Sequence, residues 1–193
     1  MNLMSGKPRL LLMAMMAILA VAFSTQAASA ETAGNSYAAQ AQRAGLTAKQ
    51  TRILQQRVDE VVARTHGRQI GPNTVAFRGG KATVAVPGER YARDLRTTYA
   101  PAASDSCPYG NFCGYTGSAY TGDEYDFYYC GYYNTSSYLL SGGSWGNNQT
   151  QHRRVYMYGS GGTVIYTTPN AFYHTASGDW GPVYGLKTCI TAA

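Results

Sequence analysis

The sequence predicts a mainly β protein, with a compact Greek-key sandwich in its C-terminal half preceded by a small helix plus β-hairpin unit. After Cys107, short aromatic or β-branched runs alternate with Gly, Asn, Ser and Pro, which is typical of short strands and turns. Most of the 17 tyrosines lie in this half, and no helical period occurs there. Before it, one helical period precedes two short β-prone runs, which predicts the helix plus hairpin unit.

The first thirty residues, 1–30, have the layout of a secretory signal peptide. A positive head at Lys7 and Arg9 precedes an apolar run over 10–23, and small residues lead to a predicted cleavage point after Ala30. The run is shorter than the ~20 residues that cross a bilayer. Cleavage is therefore favoured over a membrane anchor, and we expect a secreted, extracellular protein that leaves the membrane.

The mature chain divides by composition into two units, 31–98 and 107–193, joined by a linker of small residues at 99–106. Residues 31–96 hold eleven Lys and Arg against five Asp and Glu, whereas the second unit holds three against four. The basic residues are dispersed and no aromatic platform lies among them. A solvated helix face is therefore favoured over nucleic-acid binding, and adhesion to a polyanionic cell wall stays an alternative.

The predicted helix of the first unit begins with a capping box. Thr47 and Gln50 supply the T-x-x-Q pattern. Apolar residues then recur on one helical face, at Leu54, Val58, Val61 and Val62. This stripe predicts a helix that covers an apolar surface.

The predicted hairpin of the first unit turns at the Gly-Gly pair 79–80. In that register Phe77 faces Ala82 and Val75 faces Val84, so both strands place apolar side chains on one face. The helix stripe can cover that face.

Five segments of the second unit are predicted strands. They are Phe112 to Tyr115, Glu124 to Tyr129, Val155 to Tyr158, Thr163 to Thr167, and Leu186 to Ile190. Several short strands in so short a unit predict a β-sandwich or a Greek-key barrel.

The four cysteines are expected to form two disulfides, because export places them in an oxidising environment. Three connectivities are possible. The favoured one joins Cys107 to Cys113 across a tight loop and Cys130 to Cys189 across the domain. A redox pair would need C-x-x-C spacing, and a zinc site would need more Cys or His at ligand spacing than the three scattered histidines offer.

Several motifs resemble a known family in their order and spacing. Tyr115-TGSA-Tyr120-Thr-Gly122 has the aromatic-x4-aromatic-x-Gly pattern of βγ-crystallin-like domains. CPYGNFC at 107–113, FYYCG at 127–131, SWGNNQT at 144–150 and VYMYG at 155–159 are similar to segments of secreted bacterial peptidase inhibitors. Over about 107–190 the chain resembles peptidase inhibitor family I-thirty-six, whose founding member inhibits metalloproteinases.

The resemblance implies a βγ-crystallin-like domain that blocks an extracellular protease, with a metalloprotease favoured. The implied mechanism is a rigid, extended loop presented to the active-site cleft. The corresponding segment here gives a candidate inhibitory loop, which consists of Ile165, Tyr166, Thr167, Thr168 and Pro169. In the founding inhibitor a short disulfide braces this loop, and the present sequence has no such pair. An ordinary hairpin edge is the alternative for this segment.

Other functions are less well supported by the residues. No nucleophile-elbow or zinc-protease pattern occurs, so we expect neither an enzyme nor a cofactor. A calcium site in a βγ-crystallin-like domain needs an Asp or Asn pair before a serine pair. Asn134-Thr-Ser-Ser137 has the serines, but Tyr132 and Tyr133 replace the acidic pair, and Asn147-Asn148 has no serines after it, so we do not expect calcium binding. Asp123, Glu124 and Asp126 form an acidic cluster that we interpret as a solvated turn.

Two further binding roles stay open. The tyrosines, with Trp145 and Trp180, could stack on sugar rings in a carbohydrate- or cell-wall-binding module, although a core-filling role is favoured for them. An antibacterial toxin-like protein on the same fold is the third alternative. A monomer is expected in each case.

Overall fold

A computed structural model describes residues 36–97 and 107–191. Within these ranges the protein is mainly β, with two helices, a short 3-10 turn and eleven strands in two antiparallel sheets. The predicted signal peptide at 1–30 and the predicted linker at 99–106 lie outside the described residues. Neither described helix combines the length and the apolar character that a membrane span needs.

The helical layer precedes the strands, as the sequence predicts. Helix α1 is helical over 36–43, and α2 spans Ala48–Thr65. The predicted capping box is present: Thr47 Oγ1 accepts from the Gln50 N–H (3.2 Å), and Gln50 Oε1 accepts from the Thr47 N–H (3.0 Å). The helix ends where His66 takes a left-handed conformation.

The eleven strands form a seven-stranded and a four-stranded sheet. The large sheet has the order β1-β2-β3-β5-β4-β7-β10, and the small sheet has the order β6-β11-β8-β9. The bounds are β1 Arg68–Gln69, β2 Thr74–Phe77, β3 Gly80–Thr83, β4 Phe112–Tyr115, β5 Glu124–Phe127, β6 Tyr132–Asn134, β7 Ser144–Asn147, β8 Arg153–Tyr158, β9 Val164–Thr167, β10 Tyr173–Thr175 and β11 Gly185–Thr191.

The register predicted for the first hairpin was wrong by two residues. The structure pairs Val75 with Ala82 and Phe77 with Gly80, so the two-residue turn is 78–79. Gly79 has a φ of +78°, a conformation that favours glycine and fixes the turn there. A shift of two residues keeps each side chain on its own face, so the predicted apolar face survives.

The strands from β4 onward form two runs of four that share one connection pattern. In each run the fourth strand pairs with the first, β7 with β4 and β11 with β8. The third strand of each run, β6 or β10, pairs with the last strand of the other run. The two sheets are therefore interlocked, while the Greek-key description itself stays a prediction.

One hydrophobic core joins both halves of the sequence. Leu54 and Val58 of α2 belong to the same buried cluster as Val75, Tyr125 and Leu186. Strand β3 also pairs with β5, so the hairpin extends the sheet that begins beyond the predicted linker. The compositional boundary at 99–106 therefore does not separate two cores.

The connection between β4 and β5 folds back as the aromatic-x4-aromatic-x-Gly motif suggests. The Tyr115 and Tyr120 rings meet edge to face at 5.5 Å, and Gly122 has a φ of +80°. Ser144 Oγ accepts from the Tyr120 N–H (2.9 Å) and donates to the Gly117 carbonyl (2.7 Å). Strand β7 thereby holds the folded connection against the sheet.

The structure contains two disulfides, which are the pairs that the sequence favours. Cys107 is bonded to Cys113, with Cα atoms 5.6 Å apart, and Cys130 is bonded to Cys189, with Cα atoms 5.2 Å apart. No free cysteine occurs among the described residues. Two disulfides fit an oxidising, extracellular environment.

Candidate functional site: an aromatic groove beside a free strand edge

The segment predicted as an inhibitory loop is largely an edge strand. Ile165, Tyr166 and Thr167 belong to β9, which pairs with β8 on one side only among the described residues. Every residue from 160 to 167 is exposed. The segment has the form of a hairpin edge, because the run Val-Ile-Tyr-Thr continues the ladder of β8, and its inhibitory role stays a prediction.

The last two residues of the predicted loop are anchors rather than contact residues. The Thr168 side chain is buried, and its Oγ1 accepts from the Val155 N–H (2.9 Å). The Pro169 carbonyl accepts from Asn147 Nδ2 (3.0 Å). These bonds fix the C-terminal end of β9 to both sheets.

A buried amide network braces this end of β9. Asn147 Nδ2 also donates to the Arg153 carbonyl (2.9 Å), and Asn147 Oδ1 accepts from Gln149 Nε2 (2.8 Å). Gln149 Oε1 in turn accepts from the Cys189 N–H (2.8 Å). The hairpin β8–β9 is thus tied to the strand that carries the second disulfide, although it has no disulfide of its own.

An aromatic groove of about 540 Å³ opens where the two sheets diverge beside β9. Strands β7 and β10 form one wall, β8 and β9 form another, and the chain before β11 closes the third side. The residues that line this aromatic groove are Trp145, Met157, Ile165, Tyr166, Tyr173, Thr175, Ser177, Gly178, Asp179, Trp180, Pro182 and Val183.

Three rings meet at the floor of the aromatic groove. The Trp145 centroid lies 5.8 Å from that of Tyr173, with planes at 38°, and 6.1 Å from that of Tyr166, with planes at 58°. Trp145 is almost fully buried, whereas both tyrosines are exposed by nearly half. Burial raises the pKa of Tyr166, and the neighbouring Tyr173 raises it further, so Tyr166 stays neutral at physiological pH.

Asp179 is the one carboxylate in the groove lining. Its Oδ1 accepts from the backbone N–H groups of Gly142 (3.2 Å) and Gly181 (2.9 Å). No Lys, Arg or His belongs to the lining residues. Hydrogen bonds to backbone hold this negative group at the rim.

Exposed rings continue beyond the rim of the groove. Tyr109 and Phe172 stack at 6.0 Å with planes at 28°, and both are more than half exposed. The pair therefore leaves aromatic surface open to solvent.

The predicted solvated turn at Asp123, Glu124 and Asp126 was wrong. Glu124 and Asp126 lie in β5 and are buried, and Asp123 accepts from the Arg57 guanidinium (2.6 Å). Charged groups are buried here because cations from the first unit face them: Lys81 Nζ lies 3.0 Å from Asp126 Oδ2. The sequence alone could not show that Lys81 lies beside Asp126, since the contact depends on the pairing of β3 with β5, two strands that are distant in sequence.

This buried cluster has the features of an ion pair rather than of a metal centre. Oxygen atoms of Glu124 and Asp126 lie within 4.8 Å of Cys113 Sγ, but that sulfur is in a disulfide and offers no thiolate. Burial raises the pKa of Asp126, and the Lys81 ammonium opposes the rise. The pKa of Lys81 is raised. Burial lowers this pKa, but the nearby carboxylates, Asp126 first among them, together raise it by more.

The aromatic groove is the part of the candidate site that sequence reasoning missed. Trp145 and Trp180 were candidates for sugar stacking, but both are buried and form its floor. No local sequence pattern marked Tyr173 and Asp179 as site residues. They lie beside the other groove residues only because strands are exchanged between the two sheets. The predicted residues Ile165 and Tyr166 do line it.

No known protein family matches the chain. No curated protein and no solved structure is significantly similar to it either.

Proposed function

We propose that the protein is a secreted peptidase inhibitor and that β9 is the segment it presents to an extracellular protease. The observation that carries the proposal is the exposed stretch 160–167, which ends in a strand whose outer edge is unpaired among the described residues. The inhibitor is not itself an enzyme and uses no cofactor. A metalloprotease is the favoured target because of the family resemblance.

The chemistry of an edge strand supports this role. Free N–H and C=O groups on β9 can form a ladder with an edge strand of a partner, and its alternate side chains can enter the partner's pockets. Val164, Ile165 and Tyr166 offer apolar contact area, each close to half exposed.

The bracing of β9 supports tight binding to a protease. A segment already held in its bound conformation loses less entropy on association, so affinity rises. The hydrogen bonds of Asn147 and Thr168 supply that restraint here. In this proposal they take the role of the disulfide that braces the corresponding loop in the founding inhibitor.

The interlocked strand runs support the crystallin-like assignment on which the resemblance rests. Each run returns its fourth strand to the first, and in the folded Tyr115–Gly122 connection the Tyr115 and Tyr120 rings meet edge to face. A Greek key also returns its fourth strand to lie beside the first. The two disulfides and the signal-peptide pattern at 1–30 support export.

The test is an inhibition assay of the purified mature chain against a panel of secreted metallo- and serine proteases. We expect stoichiometric inhibition of at least one protease, favouring the metalloprotease class. An Ile165→Asp variant should weaken inhibition by about a hundredfold, because it places a charge at the apolar contact.

Tyr129→Leu is the matched control, since that exposed tyrosine lies outside the groove and outside β9. It should leave inhibition unchanged. Equal inhibition by the Ile165→Asp and parent chains would exclude β9 as the inhibitory segment. Absence of inhibition across the panel would exclude the proposed function.

A carbohydrate- or cell-wall-binding module is the second candidate. The stacked, exposed Tyr109–Phe172 pair favours it, because sugar rings stack on such faces. Lack of protease inhibition together with retention on chitin or peptidoglycan would establish this alternative instead.

A further inference from the structure

The aromatic groove has a concentration of aromatic ring faces that the proposed role of β9 does not explain. Trp145, Tyr166, Tyr173 and Trp180 all line it. The face of each aromatic ring carries partial negative charge, and rings tilted around one point combine their fields there. Tyr166 and Tyr173 are tilted against Trp145 by 58° and 38°, with ring centroids 6.1 and 5.8 Å from that of Trp145.

The one charged side chain of the lining has the same sign as the aromatic ring faces. Asp179 adds a full negative charge at the rim, and no cationic side chain belongs to the lining to compensate for it. Backbone N–H groups hold Asp179 Oδ1, whereas Oδ2 has no hydrogen bond to any described residue. The groove therefore complements a cation.

The aromatic character of the lining bears on the kind of cation. A primary ammonium or a guanidinium loses several hydrogen bonds to water on entering a site and needs acceptors to replace them. The lining has one carboxylate, Asp179, and its other side-chain acceptors are the hydroxyls of Tyr166, Tyr173, Thr175 and Ser177. A fully methylated ammonium has no N–H groups and needs none, and aromatic cages recognise such groups by cation–π attraction.

We infer that the aromatic groove binds a quaternary ammonium group of the choline type, with its methyl groups in the corner formed by Trp145, Tyr166 and Tyr173. Its volume of about 540 Å³ lies within the range of small-molecule sites. It therefore accommodates the cation together with part of the molecule that carries it. The inference is independent of the inhibitor proposal, since the ligand binds without any protease.

The chain contains a built-in reporter for this site. Both of its tryptophans, Trp145 and Trp180, line the groove, so its tryptophan fluorescence responds to a ligand bound there. Titration with choline chloride at constant ionic strength should change the emission saturably. The neutral isostere of choline, in which a tert-butyl group replaces the trimethylammonium, should bind at least about fivefold more weakly, because it lacks the cation–π attraction.

Two variants separate the cation site from an apolar pocket. Tyr166→Leu keeps apolar volume and removes a ring face, and Asp179→Asn keeps an acceptor for the backbone and removes the charge. Each should weaken choline binding by about fivefold with little effect on the isostere. The Tyr129→Leu variant should bind choline like the parent chain, since Tyr129 lies outside the lining.

The outcomes decide the inference in either direction. Absence of saturable choline binding, or equal affinity for choline and its isostere, would overturn it. Unchanged affinity in both groove variants would overturn it as well, since binding would then lie elsewhere.

The source of the choline group is resolved by two further probes. The protein could sediment with phosphatidylcholine vesicles but not with phosphatidylglycerol vesicles, and free choline could abolish this sedimentation. That result would identify the ligand as a lipid headgroup. Binding of soluble phosphocholine without such sedimentation would assign a choline-decorated polymer or small molecule. Either result supports a quaternary ammonium site.

Discussion

At the scale of single residues, the pair Lys81 and Asp126 shows how the two halves of the chain depend on each other. Asp126 is almost fully buried, and its cation comes from a strand 45 positions earlier in the sequence. The two residues lie directly opposite in the β3–β5 register. A carboxylate in this position is tolerated because its charge is matched.

Removal of the cation should therefore destabilise the protein. Lys81→Met leaves Asp126 buried without its partner, and we expect a loss of about 3 kcal/mol in the free energy of unfolding at neutral pH. Urea denaturation measures this loss. Lys49→Met, which removes an exposed lysine of α2, should change stability by no more than about 0.5 kcal/mol.

The loss should depend on pH with a defined sign. Burial raises the folded-state pKa of Asp126 and the Lys81 ammonium opposes the rise, so Lys81→Met raises this pKa further. The defect of Lys81→Met should be complete above the pKa of Asp126 in the variant and should shrink as the pH falls through it and the carboxyl becomes protonated. A defect that does not change with pH would show that Asp126 is not the cause.

At the scale of elements, the sequence predicts those strands whose residues have high β-propensity. It misses the strands whose residues do not. Strand β4 was predicted with its observed bounds, and β8, β9 and β11 within two residues. Strand β7 contains Gly146 and Asn147, which have low β-propensity, and β6 and β10 have three residues each. These missed strands are the ones that exchange between sheets or form the groove, so the candidate site could not be assembled from sequence alone.

The amide network at the end of β9 gives a prediction for that element. Asn147→Ala removes the donor for the Arg153 and Pro169 carbonyls and the acceptor for Gln149. We expect a loss of about 3 kcal/mol in stability, because buried polar groups are left without partners. Amide hydrogen exchange at Val155 and Thr168 should also accelerate.

Asn170→Ala provides the comparison. It removes a single bond, from Arg154 Nε to Asn170 Oδ1, at a less buried position. The expected loss is about 1 kcal/mol. If both variants lost the same stability, the network would not be what braces β9.

At the scale of the whole molecule, composition indicates two units while packing produces one. The charge difference between 31–96 and 107–193 is real, yet α2 and β3 cover the core face and the edge of a sheet that belongs mostly to the second half. Sequence reasoning identified the apolar helix stripe and the apolar hairpin face correctly. It could not identify their partner, since contacts distant in sequence leave no periodic signal.

A shared core predicts a single unfolding transition. The isolated fragment 107–193 should lack a cooperative thermal transition, because Tyr125 and Phe127 lose their cover and β5 loses its neighbour. Near-UV circular dichroism measures this loss of packing. Addition of fragment 31–98 should restore part of the signal. A fragment with the spectrum and melting curve of the full chain would contradict the shared core.

The pairing of β3 with β5 has a consequence for the order of assembly. A chain emerges from its N-terminus, so the hairpin β2–β3 can close through local contacts before β5 has been made. Strand β5 then meets an existing edge instead of another chain's unpaired strand. The first half of the molecule serves in this sense as a template, which shields a tyrosine-rich sheet from intermolecular pairing during the interval when it is most vulnerable.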